Sequence, residues 1–239
     1  MKLEDLLVFA SAFVRCAAFL QAFPLTGDKV VPPKFRGAIA VLMAIAIAPS
    51  RRPENLFVAL PAEALLGFAA GFAGRLVFAG IEAGGQLIGY SLGLGFAAQF
   101  DSSVAEEELP TRRLLRCLTM LAFFAGDGLP LTISALVRPP ATGPTLLRAL
   151  HLIIDETGRV MVVGLRVAAP ALVAALIGNI AAGIASRSAP ALNFFSIALA
   201  LILVIGAFML LAVAPLTAGE MSLAASRVAD VVGRVVGIL

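Results

Sequence analysis

The lengths of its uncharged runs constrain this chain more than any motif it contains. Gly37 to Ser50, Ala83 to Phe100, Val167 to Ser186 and Ser188 to Gly219 hold no Asp, Glu, Lys or Arg. Each run reads as helix. Crossing a bilayer core takes about 20 apolar residues at 1.5 Å rise each, so the first run is short and the last is too long for one crossing. Segments 56 to 80 and 146 to 166 are also apolar, yet they include Glu63 and Arg75, and Asp155, Glu156, Arg159 and Arg166. Charges at bilayer depth are costly, so these must face protein, water or one another. Composition agrees: 60% hydrophobic and 14% charged residues fall far outside the balance of a soluble domain. The chain is predicted to be an all-α membrane protein of helical hairpins.

Eighteen basic against 15 acidic residues leave a formal net charge of +3. Over this length that balance proposes no nucleic acid as partner. Basic residues flank both ends of the first short run, Lys29, Lys34 and Arg36 before it and Arg51 and Arg52 after, so charge alone fixes no orientation. Cys16 and Cys117 lie in separate apolar segments, and with one histidine, His151, there is no pattern for a disulfide framework, a metal or another cofactor. Glu4, Asp5 and Arg15 make the N-terminal segment unlike a secretory signal, so it is read as a helix of the mature protein. Punctuation falls at Pro32-Pro33, at Pro49 through Pro53, at Pro110, at Arg138-Pro139-Pro140 and around Ser188-Ala189-Pro190. No fixed-period repeat or low-complexity linker divides the chain, so residues 1–239 are read as one integrated domain. Beyond Met221, the spacing of Arg227, Asp230 and Arg234 predicts an amphipathic helix at an interface.

Two motifs suggest chemistry. Gly89-Tyr90-Ser91-Leu92-Gly93 matches a nucleophile elbow, with Asp101 or Asp127 and then His151 following in hydrolase order. No strand pattern precedes it, and an elbow needs a strand-to-helix turn. Gly93-Leu94-Gly95-Phe96-Ala97-Ala98 fits G-x-G-x-x-A but lacks both a preceding strand and the acidic residue that would hold a ribose. A simpler function for Gly67, Gly71, Gly85, Gly89 and Gly93 follows from their four-residue spacing, which clears one helix face for another backbone. Glu63, Arg75, Glu82 and Arg166 fit two readings equally: a proton or ion relay of a secondary transporter, or interhelical ion pairs.

Three blocks together resemble the FliR/SctT family of bacterial flagellar and injectisome export proteins, over nearly the whole chain. The first is Pro24 with Val31-Pro32-Pro33-Lys34-Phe35-Arg36-Gly37. The second begins with Glu63 followed by Gly67, Gly71 and Phe72, continues through Ala83-Gly84-Gly85-Gln86-Leu87-Ile88, and ends in Gly93-Leu94-Gly95-Phe96-Ala97 and Asp101. The third holds Pro170-Ala171-Leu172, Gly178-Asn179-Ile180, Gly183, Arg187, Pro190 and Leu192-Asn193-Phe194-Phe195. Departures are Ser102 for a proline, Tyr90-Ser91 for a common glutamine, and Gly126-Asp127-Gly128 for a frequent N-G-H.

The resemblance implies a single-copy gate subunit without enzymatic activity. Its partners would be FliP-like and FliQ-like subunits, an FlhB-like switch protein and unfolded exported substrates. It would sit in the bacterial inner membrane, within a flagellar basal body or injectisome base, and the form of Gly93 to Ala97 leans toward the flagellar branch. It further implies a FliP-like part at 1–158 followed by a FliQ-like hairpin and the terminal helix at 159–239. The segment from Phe96 to Pro110 would project into the pore as its plug. Phe96 and Phe100 would exclude solvent there, while Asp101, Glu106, Glu107, Glu108, Leu109 and Pro110 mark the return to water. The residues alone also allow a plain solvated turn at that place.

Overall fold

Proline marks where two of the helices begin. In the computed structural model, which describes residues 3–24, 32–48, 56–94, 109–137, 145–188 and 194–236, the main elements are seven helices. They are α1 (Leu3–Ala22), α2 (Pro33–Ile47), α3 (Leu56–Ser91), α4 (Pro110–Ala125), α5 (Gly128–Val137), α6 (Thr145–Ser188) and α7 (Phe194–Val236). Pro32 is the N-cap of α2 at φ −56° and ψ 144°, and Pro33 takes the first helical position, where a missing N–H costs nothing. Pro110 opens α4 in the same way.

The charge-based segmentation cut too finely. Segments 56–80 and the uncharged run after Ala83 join in α3, and 146–166 joins 167–186 in α6. Glutamate and arginine are good helix formers and do not end a helix; what their charges need in an apolar setting is a partner, and Glu82 and Arg166 both find one. Pro61, Pro170 and Pro215 lie within helices; membrane helices tolerate such prolines because neighbouring groups take up the freed carbonyls. Conversely, α4 and α5 meet at a 69° bend at Gly126 and Asp127, where the sequence placed no break.

Among the described residues, three helical segments, Asp5–Ala22, Leu60–Ser91 and Ala149–Ala181, are long and apolar enough to cross a membrane, and the bent α4–α5 pair makes up to four. The protein is an all-α membrane protein.

Two compact units emerge, one of Met1–Phe78, Met120–Gly158 and Leu223–Leu239, the other of Ala79–Thr119 and Arg159–Ser222. In the first, α1 packs on α2, and α2 on α5. Its centre is aromatic: Phe23 lies 6.3 Å from Phe78 and 6.0 Å from Phe123, and Phe78 lies 5.7 Å from Phe123. Tilted and edge-on pairs of this kind contribute about 0.5–1.5 kcal/mol each beyond their buried area. The terminal segment joins this core. Val228, Val231, Val232, Val235 and Val236 are at most 2% exposed, and Gly233 sits beside Ala135. The expectation of an interfacial helix is corrected accordingly: the segment is the end of α7, and the protein itself covers its apolar face.

Candidate functional site

Glycines on α3 let other backbones approach it closely. In the first unit a Cβ on Gly67 would overlap the Arg15 carbonyl, and one on Gly71 would come 2.5 Å from the Phe19 carbonyl oxygen, so α1 lies directly on α3. In the second unit, Gly84 would meet Val167 at 2.9 Å and Gly80 would meet Val163 at 3.2 Å, which brings in α6. Further along the same helix, a Cβ on Gly85 would stand 2.8 Å from the Cα of Arg112, and one on Gly89 would stand 2.5 Å from Thr111 Oγ1 and 2.6 Å from Leu109 Cδ1. These glycines therefore bring the start of α4 against the end of α3.

That last contact fixes both ends of the segment predicted as the plug. Thr111 Oγ1 donates to the Gly85 carbonyl at 2.8 Å. Arg112 donates to Glu82 Oε2 through Nη2 at 2.9 Å and through Nε at 3.2 Å. Leu109 is 2% exposed, and its carbonyl accepts the first α4 hydrogen bond, from the Arg113 N–H. At the other end Gly93 takes φ 73°, a left-handed conformation that glycine adopts without steric cost, and its N–H donates to the Tyr90 carbonyl. Pro110 is exposed. Phe96, Phe100, Asp101, Glu106, Glu107 and Glu108 lie outside the described residues.

The charged residues form separate ties. Arg15 Nε donates to Glu63 Oε2 in the first unit, and the Arg15 side chain is fully buried. In the second unit Glu82 pairs with Arg112, and Arg166 with Glu220 at 3.3 Å. Arg75 is exposed. Sequence reasoning proposed Glu63, Glu82 and Arg166 but missed their partners Arg15, Arg112 and Glu220, as well as the pair of Arg227 with Glu156 at 3.2 Å. The available signal was Arg15 itself, a cation in mid-helix that required a counter-ion somewhere in the chain.

Of the remaining signature residues, Gly178 is buried and Asn179 exposed on α6, and Arg187 lies in its last turn. Pro190 and Asn193 are outside the described residues. Ser91 Oγ donates to the Ile88 carbonyl of its own helix at 2.8 Å, and His151 Nδ1 is 2.8 Å from the Leu147 carbonyl in the same local manner. Both side chains satisfy their own helices. Among the described residues no group of three or more His, Cys, Asp or Glu could hold a metal.

Residues 6–227 match the model of the family described as bacterial export proteins, family 1. The chain is 30% identical over 217 residues to the flagellar biosynthetic protein FliR of Escherichia coli (strain K12), covering 86% of this chain and 83% of that protein. It is 29% identical over 207 residues to FliR of Pectobacterium carotovorum subsp. carotovorum, covering 81% and 79%. A more distant match, 23% over 152 residues, is Yop proteins translocation protein T of Yersinia pestis, covering 61% of this chain and 58% of that one.

Proposed function

Because this chain belongs to the bacterial export proteins, family 1, the FliR/SctT family, we propose that it is a core subunit of a type III export gate that assembles with FliP-like and FliQ-like subunits and plugs the channel. The carrying observation is the base formed by Gly85, Gly89, Leu109, Thr111 and Arg112. It anchors both ends of the segment between residues 94 and 109, so that the segment can block a conduit while its supports stay fixed.

Helix length and surface support a setting among sister subunits. Helices of 36, 44 and 43 residues extend about 54, 66 and 65 Å at 1.5 Å per residue, well beyond the roughly 30 Å of a bilayer core. Along α6, Ile154, Met161, Val162, Val173, Ile177 and Ile184 are all more than half exposed. Neighbouring hairpins would cover these faces where lipid does not reach. In this reading residues 1–158 form a FliP-like part and 159–239 a FliQ-like hairpin with its terminal helix. An FlhB-like switch protein would be a further neighbour, unfolded exported proteins the cargo, and the bacterial inner membrane at the base of a flagellum or injectisome the location. Its role is to seal and to conduct, and no catalytic step is assigned to it.

Deleting residues 101–108, which leaves buried Leu109 in place, tests the plug. The assembled gate is expected to become permeable to ions. Unchanged permeability with the assembly intact would remove the plug from the proposal.

A further inference from the structure

From the bend between α4 and α5 we infer that Asp127 and the apolar residues beside it dock a helix of a neighbouring gate subunit through a lysine or arginine on that helix. The inference rests on the proposed function and adds a contact residue to it. Asp127 has φ 55°, whereas the glycines on either side of it avoid the left-handed region. A strained conformation taken by an aspartate between two glycines persists only where the surroundings impose it. Here they do. The buried Phe123 ring lies against Gly128, the Gly126 N–H donates to the Ala122 carbonyl at 2.9 Å, and the Leu131 N–H donates to the Asp127 carbonyl at 3.2 Å. The carboxylate is thus held on a rigid corner anchored to the aromatic core.

Its surroundings identify the occupant. Asp127 is the only Asp, Glu, Lys or Arg between Arg116 and Arg138, and it is exposed. Among the described residues no cation pairs with it. Leu121 and Phe124 before the bend, and Leu129 and Leu131 after it, are exposed as well. Acyl chains cannot hydrogen-bond a carboxylate and anionic headgroups repel it, so lipid suits the leucines and not the charge. An apolar helix carrying one basic side chain suits both, in the usual arrangement of a charged anchor ringed by residues that exclude water.

The full chain, with a photo-crosslinking amino acid at Leu131, is co-expressed with the FliP-like and FliQ-like subunits of its own organism and isolated in mild detergent. A crosslink to one of these subunits, close to a lysine or arginine, is expected. Its yield should fall at least tenfold in Asp127→Lys and return when the identified basic residue is changed to aspartate. Asp127→Gly relieves the backbone, so the chain should accumulate at least as well as the wild type while losing the crosslink, which separates docking from folding. Crosslinking that is indifferent to both substitutions overturns the inference, as does crosslinking only to lipid while the subunits still co-purify. Failure of the unsubstituted chain to co-purify with either subunit defeats the proposed function itself, and this contact with it.

Discussion

Removing Glu63 is the perturbation with the largest calculable effect. Arg15 is 0% exposed and the Glu63 side chain 12% exposed, so solvent screens the pair little. Breaking a buried ion pair from one side costs about 3–5 kcal/mol, because the remaining charge stays in the interior without its counter-charge. For a chain of this size each kcal/mol lowers Tm by about 2–4 °C, so Glu63→Ala should melt roughly 6–20 °C below wild type. The double variant Arg15→Met/Glu63→Leu should recover most of this loss, since apolar pairs of similar volume replace buried ion pairs at little cost. Thermal unfolding of the detergent-solubilised assembly gives the three Tm values, and export measured in cells gives the second readout. If Glu63→Ala melts with the wild type, the buried-pair argument fails. If the double variant regains stability but exports nothing, the pair holds the fold as argued and one of its two charges also serves export, so that a purely structural reading of Arg15 and Glu63 is wrong.

The close approach on α3 predicts that Gly71→Val, whose Cβ has the Phe19 carbonyl oxygen 2.5 Å away, costs about 1–3 kcal/mol by forcing α1 outward. Gly158→Ala on α6, with nothing within 4 Å, should instead gain up to about 1 kcal/mol from helix propensity, and comparing the two melting temperatures checks both. Thr111→Val removes the hydroxyl that donates to the Gly85 carbonyl, which keeps its own helical hydrogen bond inside α3, and should cost about 0.5–1.5 kcal/mol, visible as faster hydrogen exchange at the end of α3; unchanged exchange would show that the base of the proposed plug segment does not depend on this bond. Ser91→Ala combined with His151→Ala should leave export intact, because among the described residues both side chains bond within their own helices, and loss of export at a normal protein level would revive a hydrolase.

Local rules made the helices and their starts legible. Pro32-Pro33 and Pro110 open α2 and α4 because proline is favoured in the first turn whatever the fold around it. The family was legible too, since its signatures run along the chain. Less was visible about helix continuity: Glu82 and Arg166 looked like interruptions because the runs were cut at charges, although both residue types favour helix, and only the structure shows the partners that let α3 and α6 carry those charges. For the candidate site, the four-residue glycine spacing identified the face of α3 that others approach, but not that Gly67 and Gly71 receive α1 while Gly85 and Gly89 receive α4.

By itself, then, the sequence determined an all-helical membrane protein of the FliR/SctT family, because composition, periodicity and proline chemistry act within a turn or two of the chain. Tertiary structure alone decided that Arg15 meets Glu63 across 48 positions, that the end of α7 is buried with the aromatic cluster, and that Asp127 takes the strained conformation its neighbouring glycines avoid. Each of these outcomes depends on which surfaces meet when distant segments pack: the local pattern can announce that a residue such as mid-helix Arg15 needs a partner, but it does not say which remote residue supplies it.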